Sequence, residues 1–335
     1  MPKGGGLLNE GTLVVASCTF SDNGTFGIFP TGPSGEGAGI YNDGTLTVTD
    51  STFTGNQSTG PFEGAGEGGG IYNNGKLTVT KSIFSNNLGP AEGGGIANFK
   101  ILRVTKSTFS DNSTNFEGGA IYNNDTLTVV AGNFDGLQGG GISNNGTLTV
   151  TNSTFAGNVG FGGDIANSNF GPASLKNTIL ASSSGGNCSG TITDAGYNIS
   201  TDASCEFSAT GSHNNTNPML DPKGLQYNGG PTETIALDSE SPAIDAIPVA
   251  DCTDQASPPN RIITDQRGAI RPDAGEVQCD IGAYEFQDFA GQPFCESKNI
   301  FALVRRFGSL ETAASVLGFP SVKALLKAIR ISCGG

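Results

Sequence analysis

A phrase of the form GGGIYNNGTLTVTxSxF returns along the first half of the chain, and its apolar positions keep one phase throughout. Its central isoleucine or leucine falls at Leu7, Ile40, Ile71, Ile96, Ile121, Ile142 and Ile165, at intervals of 21 to 33 residues. Within GTLTVT the side chains alternate, Leu46 and Val48 to one side and Thr45, Thr47 and Thr49 to the other, which is the two-residue period of a half-buried strand. The same pair returns as Leu13/Val15, Leu77/Val79, Leu102/Val104, Leu127/Val129 and Leu148/Val150. A phenylalanine follows each leucine by seven residues, at Phe20, Phe53, Phe84, Phe109, Phe134 and Phe155. The phrase holds two short strand-compatible stretches and no helix-length amphipathic segment. Each repeat therefore reads as one coil of an all-β, parallel β-helix, with the apolar columns stacked as core ladders.

The polar positions keep phase as well. Two asparagine series, Asn9/42/73/98/123/144/167 and Asn23/56/87/112/158, fit the corners, where asparagine tolerates left-handed backbone and stacked amides satisfy one another. Leu137 interrupts the second. Glu36, Glu67, Glu92 and Glu117 each stand four residues before the core isoleucine, and Gln138 continues the series. A column of like charges is unfavourable unless solvated or compensated, so it reads as a wet acidic edge, a strip able to hold Ca²⁺, or a functional carboxylate pair. Threonine columns on the strands suggest an ice-binding face, but Arg103 and Val130 break them, and β-propensity alone accounts for threonine there. Insertions at 24–37 and 57–68 share one phase and carry Phe26, Phe29 and Phe62, with Phe116 in a lesser one. That corner is the candidate surface for a glycan or protein partner.

Charge and cysteine content narrow the setting. The chain has a net charge of -14 with a single histidine, and residues 287–335 carry +3 of their own, leaving -17 on the remainder. Nucleic acid is thereby disfavoured as a partner. No apolar run is long enough for a membrane-spanning helix. No signal peptide precedes the first repeat, so the expectation is an N-terminus that is incomplete or serves as an assembly surface, with the chain itself as partner. Seven cysteines suggest three local bridges, Cys188–Cys205, Cys252–Cys279 and Cys295–Cys333, and an extracellular or cell-surface location. Cys18 is left over, in a small-residue slot where a free thiol is expected to be buried.

Beyond residue 180 the repeat loosens. LKNTILAS continues it for at least one coil, with Ile179 in the phenylalanine slot. Then come LQYNGGPTETIALDSESPAIDA, DQRGAIRP and CDIGAYEF, ending at residue 286. The stretch 225–286 resembles bacterial surface β-helix proteins with a choice-of-anchor Q type terminal region, and the repeats resemble polymorphic outer-membrane proteins and pectin-lyase-like solenoids. The resemblance implies a right-handed single-stranded parallel β-helix, exported and often attached to the cell surface, with no common enzymatic activity. Arg267 and Arg271 beside Asp245, Asp265, Asp280 and Glu285 have the composition of a buried ion-pair knot closing the open end of the solenoid. Three short helical stretches in residues 287–335 read as a cap or assembly module. The expected organisation is thus β-helix over 1–200, closing region over 201–286, and helical module over 287–335.

Two function classes follow. One is a non-catalytic adhesive, binding or filament-forming scaffold without a resident cofactor. The other is a polysaccharide lyase or glycoside hydrolase, for which Lys81, Arg103 and Lys106 are the best basic set, although no aspartate cluster accompanies them. His213 has no triad partners in sequence.

Overall fold

The computed structural model describes residues 3–27, 34–60, 65–160, 162–168, 170–273, 276–287, 309–316 and 321–332. Three parallel sheets of eight strands each are stacked in register, the architecture typical of a right-handed single-stranded β-helix. The first strand of each sheet (Leu7–Asn9, Thr12–Ala16, Thr19–Ser21) belongs to coil 1, and Cys188–Ser189, Thr193–Asp194 and Ile199–Ser200 to coil 8. The phrase therefore carries three strands per coil rather than two, the third being the short TxF segment. It escapes a two-residue pattern search because it is only three residues long.

Register converts the periodicity into a core. Ile40 pairs with Ile71, Leu46 with Leu77, and Phe53 with Phe84. The phenylalanine rings from Phe20 to Phe155 stack with centroids 4.4 to 5.1 Å apart and planes within 9° of parallel. Corner asparagines form the polar counterpart: each amide from Asn9 to Asn144 donates to the carbonyl of the next, at 2.6 to 2.9 Å. A buried amide is thus satisfied by its own kind, coil after coil.

The glycines before the core residue in coils 1 to 4 and 6 face the same close stacking, and coil 5 admits only the small Ala120. A Cβ on Gly70 would lie 2.5 Å from the Gly95 carbonyl oxygen and 3.0 Å from Phe84. Coil 7 departs from this rule with Asp164, fully buried. Its phenylalanine slot is filled by Leu180, which pairs with Phe155. Leu180, not Ile179, continues the ladder; Ile179 pairs with Thr154 and points outward.

The far end of the shaft is closed by the segment after coil 8. His213 bridges to Ile199, Cys188 is bonded to Cys205, and Cys205 and Phe207 join the main core cluster. Residues 217–287 then double back and lie along the outer face of the third sheet as a strap, held internally by two antiparallel pairs and the Cys252–Cys279 disulfide. The ion-pair knot lies in this strap, on the flank of the solenoid and not over its end. The physical reason is visible in coils 7 and 8, whose outward Ile179, Ala181 and Ile199 form an apolar cluster with Leu237, Ala243, Ile247 and Ile281 of the strap. Two helices, Leu310–Val316 and Val322–Ser332, follow. Ser309 caps the first, its Oγ accepting the Thr312 N–H at 3.0 Å. The expected Cys295–Cys333 bridge lies outside the described residues.

Candidate binding surfaces

The acidic column exists as a physical row. Parallel bridges join Glu36 to Glu67, Glu67 to Glu92, and Glu92 to Glu117. Lys3 heads the row, bridged to Glu36; it stands four residues before Leu7, in the phase of the glutamates, but its basic charge sets it outside a series read as acidic. Beside the carboxylates runs an outward aromatic ladder, Tyr41, Tyr72, Phe99 and Tyr122, with centroids 5.0, 5.0 and 5.8 Å apart. In coil 4 the ladder position holds Ala97, and Phe99, two residues on, swings in to fill the gap.

Charge on this row is costly, and the first rung shows what relieves it. Burial pushes Glu67 up to about 7, and its neighbours Glu92 and Glu36 add repulsion. Burial also raises Glu36, but there the Lys3 ammonium opposes the shift. The Lys3 Nζ sits 4.1 Å from the centre of the Tyr41 ring. Glu92 is raised by burial and by Glu117. Further along, Ser143 donates to Glu117 at 2.9 Å and Asn145 donates to the Tyr122 hydroxyl at 2.7 Å. The carboxylates follow one another along the axis instead of converging. Among the described residues no three His, Cys, Asp or Glu side chains gather as a metal-ligand set.

The insertion corner presents Phe26 at 71% and Phe116 at 65% exposure. Phe29 and Phe62 lie outside the described residues. Cys18 is exposed, contrary to expectation. It belongs to the outermost coil, so its backbone meets Ser51 on one side only, whereas Ser51, Ser82 and Ser107 in the same slot are enclosed between coils.

The basic set is drawn partly under the strap. Lys81 and Lys106 occupy the same left-handed turn position of adjacent coils, with φ of 49° and 52°. Arg103 stands exposed on the second sheet, in register with Thr78 and Thr128. The Lys106 ammonium donates to Thr264 Oγ1 of the strap at 2.5 Å, and burial lowers it to about 8 against the opposing pull of Asp265.

Within the knot, Arg267 Nε meets Asp265 Oδ2 and Arg271 Nε meets Glu285 Oε2, each at 2.7 Å. Arg267 also donates to the Glu285 carbonyl at 2.6 Å and lies 3.6 Å from the Tyr284 ring centre. Asp280 accepts the Asp245 N–H at 2.9 Å and the Phe286 N–H. The arginines and Asp265, Asp280 and Glu285 are buried, and the knot ties loop backbone together, although Arg271 Nη2 and Asp245 Oδ1 have no hydrogen-bond partner among the described residues.

Against known proteins, the model of the Chlamydia polymorphic membrane protein repeat matches residues 50–74 and 106–124. Those two segments are similar to a repeat of that type. No curated protein and no solved structure matches the chain. The matched segments lie inside coils 2 to 5, where the polymorphic-membrane-protein-like phrase is most regular, and neither reaches the strap. No described helix is long and apolar enough to cross a membrane.

Proposed function

We propose that the protein is a non-catalytic structural shaft, extracellular or at the cell surface, that works in adhesion through its acidic–aromatic row. The observation that carries this reading is the continuity of the row: four carboxylates in register beside four successive aromatic rings on one face, with Glu67 raised by burial and by Glu92, and Glu92 by burial and by Glu117. Such a face favours a cationic protein partner or Ca²⁺ over an anionic one. The two disulfides support an oxidising compartment. End-to-end assembly is a further part of the proposal, because in-register parallel sheets of this kind can be extended by a further coil.

A binding assay on immobilised cationic proteins and on neutral and acidic glycans tests the adhesive reading. Retention on the cationic surface that is lost in a Glu67→Gln/Glu92→Gln variant supports it; equal retention by both would count against the row. Electron microscopy of concentrated protein tests assembly, for which uniform single rods are the adverse result. The lyase alternative rests on one observation, the lowered Lys106. Release of unsaturated sugar from acidic polysaccharide, abolished by Lys106→Met, would favour it over the scaffold.

A further inference from the structure

We infer that the strap fuses coils 4 to 8 into one cooperative unit and leaves coils 1 to 3 to open on their own. In a solenoid each repeat touches only its neighbours, so stability is local and an end can fray coil by coil. A segment that crosses several coils laterally removes that freedom, because opening any one of them also strips the strap.

The placement of the strap's hydrogen bonds sets the boundary. In coil 4 it receives the Lys106 ammonium and the Thr108 hydroxyl, the latter donating to the Glu233 carbonyl at 2.6 Å. In coil 5, Asn133 donates to Gln266 Oε1 at 2.5 Å and accepts the Ile235 N–H at 3.2 Å. Gln255 spans coils 6 and 7, donating to the Val150 carbonyl at 2.8 Å and accepting from Ser174 at 2.5 Å. Tyr197 of coil 8 donates to Asp251 at 3.1 Å. Among the described residues, every hydrogen bond between strap and shaft lands on coils 4 to 8.

Burial changes at the same place. The outward residues of the third sheet are half-buried in coil 2 (Thr52, Thr54) and coil 3 (Ile83, Ser85), whereas Thr108 and Ser110 of coil 4 are buried, as are Asn133, Thr154, Ile179 and Ala181 beyond them, with Asp135 and Ala156 remaining half-buried. The bond between strap and shaft also differs along its length. At coils 7 and 8 it is an apolar cluster, while at coils 4 and 5 it is polar and centred on Gln266, fully buried and bonded to Thr108, Asn133 and Thr232. Gln266 is therefore the latch at the near end, and Ile281 part of the anchor at the far end.

Native-state hydrogen exchange on the full chain tests this. The wild-type profile is expected to step between Ile83–Ser85 and Thr108–Ser110, amides beyond the step exchanging about tenfold more slowly or better. Gln266→Ala is expected to move the step towards coil 6 while coils 1 to 3 keep their rates. A smooth decline from the ends with no step between coils 3 and 4 would overturn the inference. So would a variant in which coils 1 to 3 speed up as much as coil 4. If the variant sheds the strap entirely, the step vanishes from it, and the wild-type profile still decides.

Discussion

Asp164 is the sharpest test of how the core treats charge. It is fully buried where coils 1 to 6 carry glycine or alanine, its Oδ1 accepts Asn158 Nδ2 at 2.8 Å and the Ser183 hydroxyl, and its Oδ2 has no hydrogen-bond partner among the described residues. Burial raises its pKa from 3.8 to about 7, with the two hydrogen bonds pulling the other way. Because the folded value lies above the unfolded one, the folded state holds the extra proton between roughly pH 4 and 7, and stability falls as pH rises through that window. At about 1.4 kcal/mol per unit, the shift corresponds to a loss of about 4 kcal/mol by pH 8. Asp164→Asn keeps the shape and the Oδ1 acceptor but has nothing to ionise. Denaturant unfolding at pH 4 and pH 8 reads the effect as a double difference, in which the other raised carboxylates, Glu36, Glu67, Glu92, Asp135, Asp280 and Glu285, cancel. The variant is expected to match wild type or fall slightly below it at pH 4, and to gain about 3 to 4 kcal/mol on it by pH 8. An equal difference at the two pH values refutes the reasoning, because a protonated buried carboxyl cannot behave as a pH-independent amide.

Other expectations use the same shaft. Phe109→Ala opens a cavity in a continuous ring stack and is expected to cost about 3–5 kcal/mol by denaturant titration. Asn98→Leu removes the bonds to Asn73 and Asn123 and takes from the buried Asn123 Oδ1 its ladder donor, a loss of about 1–3 kcal/mol, so its melting temperature should drop below that of an exposed control such as Lys100→Ala. Replacing both Cys252 and Cys279 with serine frees the middle of the strap and should cost about 2–4 kcal/mol, with the loss read in the strap before the coils. Calcium at pH 8, where Glu67 is ionised, is expected to raise the melting temperature of wild type but not of Glu67→Gln/Glu92→Gln; no rise in wild type removes the ion from the account.

The coils were readable from sequence because in a solenoid the partner of a residue is the same residue of the next repeat. Leu46, Asn42 and Phe53 meet Leu77, Asn73 and Phe84, so phase alone supplies long-range contacts. Reading fails where contacts leave that phase. Phe99 joins the aromatic ladder from a position two residues out of column. The ion-pair knot was visible as composition, but its seat was not, since nothing in DQRG or CDIGAYE names the surface beneath it.

That seat nevertheless left a mark in the coils. Along the third sheet the residue before each ladder position reads Thr19, Thr52, Ile83, Thr108, Asn133, Thr154, Ile179 and Ile199. An outward strand position facing water has no reason to turn from threonine to consecutive isoleucines, and the cost of exposing them would recur in every such coil. Apolar residues at the outward phase, held over successive coils, therefore mark where a later segment lies down. Isoleucine and alanine at 179, 181 and 199 mark the anchor. Thr108 and Asn133, polar yet buried, mark the latch, where the covering segment must bring its own hydrogen-bonding partner and does so with Gln266.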